Sequence, residues 1–210
     1  MTIAPTWSGA QGYAENADAL AEQYESVTFE EVHRDTLHLI PLPPARIVDI
    51  GAGSGRDAAA LARMGHAVLA VEPTPELLLH GQRIHGDLPI EWLGDGLPEL
   101  SRVRACGERF DAVLLTAVWM HLDARERAVA MEAIAGLLAP SGVVVMSLRH
   151  GPVPAGRRMY EVGADETIAL AAGRGLRVVH RSERDDMLGR PEVRWTSLGL
   201  AAPGGEVGRG

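Results

Sequence analysis

The chain has 210 residues, 46% of them hydrophobic, and a formal net charge of −8. That length holds one α/β domain with a full core. The acidic balance argues against broad electrostatic binding to nucleic acid, which needs a basic surface.

Residues 1–10 contain Pro5, Trp7 and Gly9 and lack the basic-then-apolar pattern of a signal peptide. No run of about 18 apolar residues occurs, so no membrane span is expected. Cys106 is the single cysteine, which suits a reducing compartment, and no cysteine–histidine cluster has zinc spacing. These features together predict a cytoplasmic protein without a metal site, whose partner is a small molecule rather than nucleic acid or membrane.

Residues 13–40 read as helical, with Leu20, Tyr24, Val27, Val32, Leu37 and Ile40 as apolar positions. Pro41, Pro43 and Pro44 end that region. A first strand is predicted over 46–50, a helix over 56–64 stopped by Gly65, and a second strand over 67–71. Pro75 opens a further helix, and 90–93 make a short third strand. The fourth, 110–116, is almost wholly apolar, as in a strand covered on both faces. Asp123 is placed to cap a helix reaching 138. Ser141-Gly142 turns into a fifth strand over 143–148. A helix over about 165–174 precedes a closing antiparallel pair, 176–180 and 193–200. Strands alternating with helices predict a parallel sheet with right-handed crossovers in a single domain. The glycine-rich residues 202–210 are expected to be a disordered tail.

The most informative stretch is Val48-Asp49-Ile50-Gly51-Ala52-Gly53-Ser54-Gly55-Arg56, followed by a helix and a strand that ends at Glu72, 21 residues after Gly51. Glycine allows a tight turn and close approach to a ligand. A carboxylate closing the next strand can accept from both hydroxyls of a ribose. The turn is Gly-x-Gly-x-Gly, not the Gly-x-Gly-x-x-Gly of dinucleotide sites.

With Asp49 two residues before the first glycine, this segment resembles the first motif of the class I S-adenosylmethionine-dependent methyltransferases of the small-molecule type. The resemblance covers about residues 45–200 and implies a Rossmann-like, doubly wound, seven-stranded sheet with the last strand antiparallel. It also implies S-adenosylmethionine as cofactor. Residues 1–44 would then be a helical cap or lid of the same domain, and 45–201 the methyltransferase core.

The resemblance carries roles onto particular residues. Gly51, Ala52, Gly53 and Gly55 would face the methionine part of the cofactor, with the helix N-terminus favouring its carboxylate. Arg56 either reaches that carboxylate or lies in solvent. Glu72 would clamp the ribose, and Pro73 stiffens the exit. After the third strand, Asp95 would accept from the adenine amino group, flanked by Gly96 and Leu97; the alternative is a turn aspartate before a glycine. Thr116, Ala117 and Val118 would run along the methionine moiety. Trp119 and Met120 face the reacting methyl or are core. His121 is either a catalytic base or a structural histidine. Ala21-Glu22-Gln23-Tyr24-Glu25 is similar to an element whose tyrosine closes a lid over the cofactor, which makes Tyr24 a contact and Tyr13 a weaker one.

The segment 149–160 follows the fifth strand and is rich in glycine and proline, a length uncommon in a connection without function. It holds Arg149, His150, Arg157, Arg158 and Tyr160 in an otherwise acidic chain. Arginine grips carboxylates and phosphates through paired hydrogen bonds. An acceptor bearing an acidic group is therefore expected, with Arg149 or Arg157 as clamp, Trp119 and Tyr160 beside it, and His150 as a base where one is needed. The Asn/Asp-Pro-Pro-Tyr/Phe and Pro-Cys signatures of nucleic-acid methylation are absent. Other readings stay open: the same cofactor used for cyclisation or aminocarboxypropyl transfer, a nicotinamide-dependent oxidoreductase, or a cofactor-binding protein without turnover.

Overall fold

The computed structural model describes residues 7–204. Seven strands form one sheet in the order β3-β2-β1-β4-β5-β7-β6. The strands are β1 (Arg46–Ile50), β2 (Ala67–Val71), β3 (Ile90–Leu93), β4 (Phe110–Leu115), β5 (Leu138–His150), β6 (Arg177–Asp185) and β7 (Arg194–Ala201). β1 to β5 pair in parallel, and β7 runs antiparallel to both β5 and β6. The doubly wound sheet with an antiparallel last strand matches the expectation from sequence.

Alternation along the central strands explains the two cores. Side chains on a strand point to opposite faces in turn. Val48 and Ile50 of β1 and Val113 and Leu115 of β4 enter one buried cluster with Trp119, Met131 and Ile134. Ile47 of β1 and Ala112 and Leu114 of β4 enter the other, with Phe29, Leu39, Ala58 and Leu61. Both faces are covered, so these strands read as continuous apolar runs.

The helices are α1 (Ala17–Glu25), α2 (Phe29–His33), α3 (Arg56–Arg63), α4 (Pro75–Ile84), α5 (Ser101–Ala105), α6 (Ala124–Leu137) and α7 (Ala164–Ala172). The helical stretch expected over 13–40 is broken into short pieces. Thr28 starts a new helix: its hydroxyl accepts from the Glu31 amide at 3.2 Å, and its own amide donates to Glu31 Oε2 at 2.8 Å. This reciprocal capping satisfies two otherwise unpaired donors and interrupts the preceding helix. Asp123 caps α6 in the same manner, as its position suggested.

The turn expected at Ser141-Gly142 lies inside β5 as an irregularity. The partners step from Phe110↔Leu138 to Ala112↔Val143, and Ser141 has φ +67°. The chain beyond the expected end of the last strand is tied down at first: Ala202 is buried and its amide donates to the Gly142 carbonyl at 2.9 Å. Residues 205–210 of the expected tail, and residues 1–6 of the expected cap, lie outside the described residues. Among the described residues no helix is long and apolar enough to cross a membrane.

Candidate active site

The carboxyl ends of β1, β2 and β4 converge on a cavity of about 430 Å³, within the range of small-molecule sites, roughly 300–1,000 Å³. Its floor is the loop after β1. The amides of Gly51 and Ala52 both donate to the Val71 carbonyl, at 2.8 and 3.0 Å, and so turn the chain across the end of β2. Gly51 and Gly53 have φ +73° and +59°, in the left-handed region that side chains disfavour. A Cβ on Gly51 would stand 2.5 Å from Val118 Cγ2, and one on Gly53 would stand 3.1 Å from the Tyr24 ring.

Glu72 is buried at the end of β2. Its Oε2 accepts from the Gly53 amide and its Oε1 from the Thr74 amide, each at 2.8 Å. Burial raises its pKa, opposed by these two amides. A carboxylate has about four lone-pair sites, so two amide donors leave capacity for two hydroxyls. Asp49 is buried beside the loop with Oδ2 unpartnered among the described residues. Burial, together with the negative charges of Asp57 and Glu72, pushes its pKa upward. An unpaired buried acceptor lining a cavity fits a cationic amine on a ligand. Both features suit the ribose and amino ends of S-adenosylmethionine.

Asp57, in the first turn of α3, accepts from Arg56 Nε at 2.7 Å, His33 Nε2 at 2.8 Å and the Thr116 hydroxyl at 2.8 Å. Burial would raise its pKa, but His33 and Arg56 override it and hold the carboxyl well below the usual range. Arg56 also donates to the Tyr24 carbonyl at 3.3 Å. Its guanidinium thus joins α3 to α1 rather than lying in solvent. Glu25 of α1 accepts from the Ser54 hydroxyl at 2.6 Å and lies 3.3 Å from His85 Nε2.

Most of the cofactor-side residues singled out from the sequence line the cavity: Tyr24, Asp49, Gly51, Ala52, Gly53, Arg56, Glu72, Pro73, Leu97, Thr116, Ala117 and Val118. Arg149 and Arg157, expected beside an acceptor, and His121 line it too.

Six expected residues are placed off the cavity wall. Asp95 is buried with its carboxylate turned to the backbone, accepting from the amides of Gly96, Arg102 and Val103 at 2.9, 2.8 and 3.0 Å. It caps α5, a short helix with no clear sequence signal. Gly96 is covered by Trp7, whose ring carbons would stand 2.8 Å from a Cβ there. Gly55 begins α3 and packs against Trp92. Trp119 is wholly buried and donates from Nε1 to the Thr167 hydroxyl at 3.1 Å, which makes it core. His150 follows Arg149 on β5 and therefore faces the other way; its Nε2 is 2.8 Å from the Thr196 hydroxyl. Tyr160 is exposed, with the Arg158 guanidinium 4.9 Å from its ring centroid.

Sequence reasoning missed the tip of the β6–β7 hairpin. Asp186, Met187, Leu188 and Arg190 line the cavity with Trp195. Asp186 accepts from Arg190 at 2.6 and 2.9 Å and from Trp195 Nε1 at 2.9 Å. Burial raises its pKa, and these partners overcome that and lower it. The i,i+4 Asp186–Arg190 pair around Gly189 was the only available sign.

Residues 47–142 match a family model described as a methyltransferase domain. An uncharacterized methyltransferase of Mycobacterium tuberculosis is 30% identical over 128 residues, covering 57% of this chain and 62% of that protein. A ubiquinone biosynthesis O-methyltransferase of Xylella fastidiosa is 32% identical over 137 residues, covering 62% of this chain and 52% of its own. The chain thus spans between half and two thirds of the length of these relatives. Among solved structures, a TehB-like S-adenosylmethionine-dependent methyltransferase from Corynebacterium glutamicum aligns with TM-score 0.67 at 20% identity, covering 90% and 98% of the two chains. The 1,6-didemethyltoxoflavin N1-methyltransferase of Burkholderia thailandensis aligns with TM-score 0.61 at 23% identity, covering 96% and 93%. Residues 47–142 are thus similar to a methyltransferase domain, and the strand order and fold agree with those of the aligned S-adenosylmethionine-dependent methyltransferase structures.

Proposed function

We propose that the protein catalyses methyl transfer from S-adenosylmethionine to a small acceptor bearing an acidic group. One observation carries this reading: a single cavity joins Glu72 and the Gly51–Gly53 loop to Arg149 and Arg157. Glu72 would hold the ribose, Asp49 the amino group, and Trp7, Pro73 and Leu97 the base. When bound, S-adenosylmethionine supplies an activated methyl group. The chain's own task is then to orient the acceptor and exclude water, and positioning can supply a large part of the barrier reduction.

Arg157 stacks face-on over the Tyr13 ring, 3.6 Å from its centroid, and its Nη1 is buried without a partner among the described residues. Arg149 donates to the Pro152 carbonyl at 2.9 Å, so part of its guanidinium shapes the loop. This favours Arg157 as the anion clamp. Met120, Met159, Met187, Leu188 and Trp195 give the acceptor side an apolar wall. An apolar or aromatic acid matches that lining.

Residues 1–44 would act as the lid of this domain. Their Tyr13, Tyr24 and Val27 line the cavity, opposite the 45–201 core.

Calorimetry with S-adenosylhomocysteine, followed by methylation assays on paired acceptors with and without a carboxylate, tests the reading. Arg157→Ala should raise KM for the carboxylate-bearing member only, and leave cofactor affinity unchanged. Equal KM effects on both members would remove the acidic group from the assignment.

A further inference from the structure

We propose that Tyr13 and His121 form a directed hydrogen-bond relay that takes the proton from a phenol-type O–H acceptor. The inference rests on the methyl-transfer reading and deepens it by naming the acceptor group.

His121 Nδ1 lies 2.8 Å from the Arg158 carbonyl oxygen. A carbonyl can only accept, so Nδ1 carries the hydrogen and Nε2 carries the lone pair. The Tyr13 hydroxyl is 2.9 Å from that Nε2, and therefore donates to it. With its hydrogen committed, the Tyr13 oxygen can only accept from further partners. It is therefore open to accept a proton from a ligand hydroxyl in the cavity. Both side chains line the cavity, and their rings meet edge to face at 5.5 Å. The direction of the Tyr13–His121 bond leads from the cavity into the imidazole.

The surrounding charges set the resting state. Burial raises the Tyr13 pKa, so the phenol keeps its proton. Burial lowers the His121 pKa, and Arg157, Arg149 and Arg158 lower it further against the pull of the Arg158 carbonyl. A protonated phenol beside a neutral imidazole is the arrangement that can receive a proton.

In the step itself, the acceptor O–H bond breaks and its proton goes to the Tyr13 oxygen while the Tyr13 proton goes to His121 Nε2. The acceptor's freed electron pair forms the new O–CH3 bond. The methyl–sulfur bond breaks and leaves its pair on sulfur. The donor's positive charge reappears on the imidazole ring, which later releases the proton to water. The three arginines make that charged ring costly, so the relay is a weak base. It suits phenols or enols, whose protons are already acidic, and not aliphatic alcohols. A carboxylate acceptor needs no base, and the relay would then be idle.

The experiment begins with ¹⁵N-histidine spectra of the full chain without cofactor. His121 should show the Nδ1–H tautomer with a hydrogen-bonded Nε2, and Tyr13→Phe should shift Nε2 alone while the remaining spectrum reports an intact fold. Methylation rates are then measured with S-adenosylmethionine and ring-substituted 4-hydroxybenzoates of graded phenol acidity. Tyr13→Phe should bind S-adenosylhomocysteine normally and lose about 100-fold or more in kcat with KM little changed. The loss should shrink as the phenol becomes more acidic. An Nε2–H tautomer, an unaltered kcat, a loss that ignores phenol acidity, or no turnover of any phenol by a protein that binds the cofactor product would each overturn the relay. Failure of the wild-type protein to bind S-adenosylhomocysteine would instead overturn the methyl-transfer reading beneath it.

Discussion

The backbone amide of Gly53 donates to Glu72 Oε2 at 2.8 Å, so the loop after β1 and the end of β2 are one rigid unit. The carboxylate orders the loop, and the loop aims the carboxylate. Glu72→Ala should remove both effects. Charge-assisted hydrogen bonds contribute roughly 1.5–3 kcal/mol each. Affinity for S-adenosylhomocysteine is expected to fall by at least about tenfold, the equivalent of 1.4 kcal/mol. Glu72→Gln keeps an acceptor oxygen and should lose less. Calorimetry on both variants checks the order.

Gly53→Ala should harm the site through backbone and contact together. A non-glycine residue in the left-handed region costs roughly 1–2 kcal/mol, and the added methyl would press on the Tyr24 ring at 3.1 Å. A lower thermal midpoint and weaker cofactor binding are expected, whereas Ala at Gly107, which has open space around it, should cost only the backbone strain.

Asp57, itself buried, joins α2, α3 and the end of β4 through three partners: buried His33 and the partly buried Arg56 and Thr116. Removing one member of a buried charged cluster costs about 3–5 kcal/mol, so Asp57→Ala should lose stability on that scale in urea at neutral pH. The Asp57 pKa is depressed in the folded state. Its contribution is therefore complete above the unfolded value of about 3.9 and is lost as pH falls below that toward the folded value. Wild-type stability should decline below about pH 4 more steeply than that of Asp57→Asn.

Glu25 latches α1 to the Ser54 loop and to α4 through His85. Burial raises its pKa, while His85 and Ser54 more than reverse this and lower it. The latch is thus present above the ordinary carboxylate range and weakens as pH falls through it. Glu25→Ala should speed release of S-adenosylhomocysteine several-fold, because loss of a hydrogen bond worth about 1 kcal/mol is about a fivefold effect. Stopped-flow displacement would detect it, and an unchanged release rate would show that α1 is held elsewhere.

The parallel core was legible because its signals are local. Residues 46–50, 67–71 and 110–115 carry apolar runs that only a doubly covered sheet accommodates. The Asp49–Gly55 motif and Glu72 are close enough in sequence for one βαβ unit to bring them together. Within the candidate site, the expected cofactor-side residues come together in one cavity because its shape is made by backbone turns that demand glycine.

The rest of the cavity wall was legible only in part, in Arg149, Arg157 and His121, for a different physical reason. It is made by distant segments: Tyr13, Arg157 and the 186–195 hairpin meet only once β7 inserts antiparallel between β5 and β6. Strand alternation then decided which neighbour faces the cavity, putting Arg149 in and His150 out. Asp95 was read as a ligand contact, yet the fold turns it to the amides of α5. Sequence by itself determined the domain class and the glycine-rich turn after β1, since both follow from local periodicity and backbone freedom. Tertiary structure alone decided which polar side chains share one cavity, because that depends on the packing of elements more than a hundred residues apart, as with Tyr13 and His121.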